Sequence, residues 1–144
     1  IKPAVNQVEG HPLLRQQALK DYCDANGVAS TAYSPLGSGD RPDRMKAADE
    51  PAMQELPEVV AIAAAHNITP AQVLIAWAIN RGTAAIPKSV NPERLAMNLA
   101  CGEISLEAGD MQTLNSLDRH YRYVNAMFFE LPGGPYTAAA IWDE

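Results

Sequence analysis

The sequence predicts an α/β chain with a parallel sheet, read as the closing portion of an eight-stranded α/β barrel. Three observations predict it. Strand and helix patterns alternate along the 144 residues, and a helix between two strands is the connection that parallel pairing requires. The strand signals number only three, too few to cover both faces and both edges of a parallel sheet, so further strands are expected to pair with them. Finally, a cationic motif follows the last strand and opens a short helix. Barrels of about 250 residues place a phosphate at that point, after their last two strands. The chain also opens at Ile1-Lys2-Pro3 directly ahead of a strand, which reads as a segment of something longer.

The elements follow in order. Residues 4–9 read as a strand and residues 11–26 as an amphipathic helix, with Leu14, Ala18, Leu19, Tyr22 and Cys23 on one face and Gly27 as its stop. Residues 28–33, small and β-branched, form the second strand. A Ser/Gly/Pro/Asp-rich loop covers residues 34–51. Residues 57–67 form a helix with Val59, Val60, Ala63 and Ala64 inward. Thr69-Pro70-Ala71-Gln72 is a capping box that launches a helix to about residue 81, and Gly82 ends it. Residues 83–87 are the third strand, and residues 92–100 a short helix. Ser105 is expected to cap a last helix reaching about residue 122 and burying Met111, Leu114 and Leu117; residues 123–144 read as ordered loop.

Composition narrows the function classes. The chain is 47% apolar and 19% charged, with a net charge of -6, which disfavours nucleic acid or an acidic membrane as partner. No apolar run is long enough to span a bilayer, and no signal peptide is visible. Cys23 and Cys101 lack metal-ligand spacing and read as buried free thiols in a reducing, cytoplasmic compartment. His11, His66 and His120 have no metal-ligand spacing either. His66 and His120 sit where an imidazole complements the negative end of a helix, and Trp77 reads as core.

The cationic motif is Ile86-Pro87-Lys88-Ser89-Val90-Asn91-Pro92-Glu93-Arg94. Asn91 suits an N-cap and Pro92 the first helical position. Free amides of the first turn, with Lys88, Ser89 and Arg94, make an anion site, most plausibly for a phosphate.

Three blocks carry a resemblance. Val5-Asn6-Gln7-Val8-Glu9-Gly10-His11-Pro12, Thr31-Ala32-Tyr33-Ser34-Pro35-Leu36-Gly37, and Ile86 through Val90 with Arg94 and Asn98 occur in the order and spacing of the aldo-keto reductase family. The chain resembles that family over residues 2–123. The resemblance implies an (α/β)8 TIM barrel that binds NADP(H) without a Rossmann unit, this chain being strands six to eight with their helices. Residues 123–144 would then be the C-terminal loop that shapes the substrate pocket, with Phe128, Phe129, Tyr136 and Trp142 in it.

The resemblance also assigns roles. Tyr33 would lie flat against the nicotinamide, although a lone tyrosine there also reads as core, and Gln7 would bond the carboxamide. Ser34, Pro35, Leu36 and Ser38 would wrap the pyrophosphate, with Asp40 fastening that loop; Asp40 also reads as a plain turn aspartate. Lys88, Ser89, Asn91 and Arg94 would hold the 2′-phosphate, flanked by Ile86, Pro87 and Val90, and Asn98 would meet the adenine. Met97 stands where relatives often carry a glutamate. His11 would be structural.

The activity implied is NADPH-dependent reduction of aldehydes or ketones, aldoses among them, by the complete barrel, whose N-terminal remainder is the partner of this segment. The acid tyrosine, its lysine and aspartate, and an orienting histidine belong to the first half of such barrels. No tyrosine here lies in the matching context, so no catalytic residue is assigned and the segment alone is expected to be inactive. A different class, a non-catalytic NADP(H)-binding barrel serving as a redox-sensing or regulatory subunit, carries the same motifs. So does an unrelated phosphate-binding barrel enzyme, apart from the Tyr33–Gly37 block. Upstream sequence discriminates the first two.

Overall fold

The computed structural model describes residues 1–142; Asp143 and Glu144, the end of the expected C-terminal loop, lie outside the described residues. Strands β1 (Val5–Glu9), β2 (Ala29–Tyr33) and β3 (Ala84–Ala85) form one parallel sheet in that order. Gln7 pairs with Thr31, Glu9 with Tyr33, and Ala32 with Ala85. Helices α1 (Gln17–Ala25), α2 (Pro57–His66), α3 (Pro70–Asn80), α4 (Pro92–Ala100), α5 (Ala108–Asn115) and α6 (Ala138–Trp142) complete the chain. The α/β class and the parallel pairing agree with the sequence.

The sheet packs one face against the helices. Side chains alternate along a strand, and Asn6, Val8, Ser30 and Ala32 share the side on which Leu19 and Trp77 also sit. The core runs from there through Val73, Leu74 and Trp77 of α3 to Val59 and Ile62 of α2, Leu114 of α5 and Tyr123. Gln7, Thr31 and Tyr33 point to the other side. Gln7 is exposed there.

Several expected boundaries move, each for a physical reason. The helix expected from residue 11 starts only at Gln17, because Leu13 and Leu14 are buried as a plug. Leu14 N–H bonds the His11 carbonyl at 2.9 Å, and Gln16 breaks the path with φ +52°. Ala18 and Tyr22 are exposed rather than inward. The helix does end as expected. Gly27, at φ +60°, donates to the Asp24 carbonyl while Val28 donates to that of Cys23, a Schellman closure.

In α2 the inward residues are Val59, Ile62 and Ala63, whereas Val60 and Ala64 face solvent. The predicted capping box of α3 is present, with Thr69 Oγ1 accepting from Gln72 N–H at 3.2 Å. The third strand is short because β2 leaves the sheet at Ser34 with φ +50°. Past the bond from Ile86 N–H to the Ala32 carbonyl, β3 has nothing left to pair with.

The last long helix is α5, capped by Glu107 with Asp110 rather than by Ser105. Leu106 is buried just ahead of it, its N–H held by Asn80. The helix stops at Asn115 because the following segment bonds elsewhere: the N–H groups of Arg119 and Tyr121 both go to the Leu13 carbonyl. His120 is thus in a left-handed turn, φ +58°, and not at a helix end. The tail is not all loop, since it holds α6. Among the described residues no single helix is long and apolar enough to cross a membrane.

Candidate functional site

Parallel strands bring their C-terminal ends to one side, so the segments leaving β2 and β3 meet there. They enclose a cleft of about 430 Å³ lined by Ser34, Pro35, Leu36, Ser38, Asp40, Ile86, Pro87, Lys88, Ser89, Val90, Asn91 and Arg94. A second cleft of about 360 Å³ shares Leu36, Lys88, Ser89 and Arg94 and adds Met97 and Asn98. Of the residues assigned to the cofactor in the sequence, Gln7 and Tyr33 lie outside both clefts. They sit two register positions apart on the sheet face opposite the Trp77 core, Gln7 opposite Thr31 and Tyr33 opposite Glu9.

The β2 side is a tight wrap. Ser34 and Ser38 both have left-handed backbones, φ +50° and +49°, and their hydroxyls meet at 2.5 Å. Non-glycine residues in that region cost free energy and cluster at ligand clamps. Gly37 N–H closes a turn on the Ser34 carbonyl at 3.0 Å.

On the β3 side, Asn91 caps α4 as expected: its Oδ1 accepts from Arg94 N–H at 3.0 Å. Asn91 N–H in turn donates to Ser89 Oγ at 3.1 Å. These bonds correct one expectation. Pro92 has no N–H, and the amides of Asn91 and Arg94 are already spent, so little of the helix terminus is free for an anion. The cationic side chains must carry that task. Arg94's guanidinium makes no hydrogen bond or ion pair with any described residue. Lys88 Nζ donates to Asp40 Oδ2 at 2.9 Å, both side chains largely exposed. That bond and the lysine's charge hold the Asp40 carboxyl below its usual value. Asp40 thus bridges the two sides of the cleft.

These residues fit a dinucleotide carrying an extra phosphate. Two cations with only one carboxylate partner face a roomy cleft, and a second cleft with an amide side chain adjoins it. Tyr33 presents a half-buried ring beside Glu9; burial first, then the charge of Glu9, raises its phenol above the ordinary value of 10.0.

The sequence reading missed Gln54, on a short 3-10 turn (Met53–Glu55), which lines both clefts. Nothing local marks it. It also missed the supporting cluster below. His11 Nε2 lies 2.9 Å from Glu9 Oε1, both fully buried, and the His11 ring meets Tyr123 edge-on at 5.1 Å. This buried placement agrees with a structural His11. His66, at the end of α2, lies 2.7 Å from Asp110, a partner the sequence did not indicate.

The sequence model of the aldo/keto reductase family matches residues 1–119. The chain is similar to an aldo/keto reductase of Synechocystis sp., 52% identical over 144 residues, all of this chain and 44% of that protein. It is 42% identical to aldo-keto reductase family 1 member A1 of Cricetulus griseus over 127 residues, 88% of this chain and 39% of that protein. The Homo sapiens protein of that name is also 42% identical over 127 residues, covering 88% of this chain and 38% of its own length. The chain therefore spans less than half the length of these relatives.

Proposed function

The chain belongs to the aldo/keto reductase family, and we propose that it supplies most of the NADP(H) grip of a complete (α/β)8 barrel that reduces aldehydes or ketones to alcohols. The observation that carries this is the shared cleft, where Lys88 and Arg94 converge opposite the Ser34–Asp40 wrap. In this reading Arg94 and Lys88 hold the 2′-phosphate, with Ser89 and Asn91 shaping the turn beneath it and Ile86, Pro87 and Val90 as its wall. Ser34, Pro35, Leu36 and Ser38 wrap the pyrophosphate, Asp40 ties the wrap to Lys88, and Asn98 meets the adenine. Tyr33 supports the nicotinamide ring by its face and Gln7 bonds its carboxamide.

When bound, the reduced nicotinamide supplies a hydride to the carbonyl carbon. This chain's part is binding and orientation, and the proton donor is assigned to the remainder of the barrel. All of residues 1–144 form one portion of that barrel, with 123–144 as a rim to the substrate opening. The cytoplasmic setting inferred from Cys23 and Cys101, both buried and unpaired, belongs to the same proposal.

The test is turnover by the complete protein of NADPH with a small aromatic aldehyde. Consumption of NADPH with matching alcohol formation is expected. Tight NADPH binding with no turnover would sink the enzymatic reading, and no preference for NADPH over NADH would sink the phosphate assignment.

A further inference from the structure

Asp40 and Arg41 are neighbours in the loop between β2 and α2, and they reach opposite ways. Asp40 meets Lys88 across the cleft at 2.9 Å. Arg41 turns to the tail. Its Nη1 donates to the Tyr123 carbonyl, Nη2 to Glu50, and Nε to the Ser38 carbonyl at 3.2 Å. The guanidinium stands 5.6 Å from the centre of the Tyr123 ring. Arg41 and Glu50 side chains are only 10% and 14% exposed, so water screens this pair far less than a surface one.

Tyr123 is the point where the tail is fixed. Its N–H donates to Glu9 Oε1 at 2.7 Å and that of Val124 to Oε2 at 3.0 Å. Its hydroxyl donates to the Pro51 carbonyl at 2.6 Å, at the far end of the same loop. Gly37 lets the two segments touch: at φ +83°, a Cβ there would lie 3.0 Å from the Tyr123 ring. Beyond Tyr123 the chain exposes Phe128, Phe129 and Tyr136.

We propose that Arg41 is a positioning residue that couples the cofactor loop to the tail, so that seating NADP(H) under residues 34–41 fixes the height of the substrate-facing rim. This rests on reading the cleft as the NADP(H) grip. A shift of the loop at Arg41 pulls on the Tyr123 carbonyl, because one guanidinium bonds Ser38 and Glu50 on the loop and Tyr123 on the tail. The coupling is reciprocal: a ligand held against the tail tightens the cofactor by the same factor.

Hydrogen exchange on the complete protein, with and without NADP⁺, tests this in the wild type and in Arg41→Ala. In the wild type, NADP⁺ slows exchange in residues 34–50 and also in 123–130. In Arg41→Ala the first protection stays and the second is lost. In the same variant KM for benzaldehyde at saturating NADPH rises about tenfold, while kcat stays within about twofold. Should Arg41→Ala not fold, Arg41→Met, which keeps the stem and removes every donor, carries the same expectation. Equal tail protection in wild type and variant overturns the coupling. If NADP⁺ protects neither segment of the wild type, the cofactor reading itself fails and the proposal falls with it.

Discussion

The cleft between Lys88 and Arg94 and the knot around Glu9 are both built from charge, but they hold it in opposite states. In the knot every partner of the carboxylate is internal. Glu9 faces His11 and accepts two tail amides with no exposure at all. In the cleft Arg94 is exposed and unpartnered among the described residues, and Lys88 has only Asp40. A buried charge that is fully satisfied holds the fold and has nothing left for a ligand. An exposed pair of cations contributes little to stability and keeps its hydrogen-bonding capacity for whatever enters.

The largest effect expected from this contrast is on folding. Glu9→Ala strips the buried Tyr123 amide and the partly buried Val124 amide of their acceptor and should cost about 2–4 kcal/mol, read as a lower denaturant midpoint of the complete protein. The ratio of NADPH to NADH affinity should not move. An unchanged midpoint would mean the knot is not structural.

Arg94→Ala should do the reverse. Stability stays within about 0.5 kcal/mol, while NADPH weakens about ten- to a hundredfold, the worth of one charge-assisted bond of roughly 1.5–3 kcal/mol, and NADH hardly changes. Equal weakening of both dinucleotides breaks the comparison on the cleft side.

Tyr33 lies between the two regions and sharpens the boundary. Burial, then the Glu9 charge, raises its phenol above 10.0, so the folded state holds that proton more tightly than the unfolded one. The resulting stability is intact below pH 10 and fades as pH rises through the raised value. Ultraviolet titration of wild type against Tyr33→Phe should show the difference only on that alkaline side. A Tyr33 phenolate forming below pH 10 would place the ring in solvent.

The smallest effect belongs to the bridge. Lys88 lowers the Asp40 carboxyl, so the contact survives neutral and mildly acidic pH and is lost only as pH falls through the depressed value. Because the pair is exposed, Asp40→Asn should change NADPH release by about fivefold or less in stopped-flow measurements. A change of a hundredfold would show that the bridge is a lock rather than a strap.

The same contrast explains what could be read from the sequence. Residues 86–94 are contiguous, and four of them carry a local signal: an N-cap asparagine, a proline at the first helical position, a lysine and an arginine. The cleft was therefore legible almost residue by residue, and Asn91 caps Arg94 as expected. What local signals could not reveal is that the cap takes the Arg94 amide and Ser89 that of Asn91, two of the groups an anion was expected to meet.

The knot was illegible because it is long-range. Glu9 and Tyr123 stand 114 positions apart, and no periodicity links them. The misplaced ends of α1 and α5 have one origin of the same kind. Leu13 docks residues 119–121 through its carbonyl, which makes neither stretch available to a helix. Apolar spacing supported helices in both places, and a tertiary contact overrode it.

Gly37 carries a consequence for anyone altering this barrel. Its missing side chain is the gap into which the Tyr123 ring leans, so the close approach of residues 34–38 to the tail at Tyr123 depends on a glycine at this position. A methyl group there would press on the Tyr123 ring and on Met53 and would strain a left-handed backbone, so it would disturb the turn at residues 34–38 and the tail together.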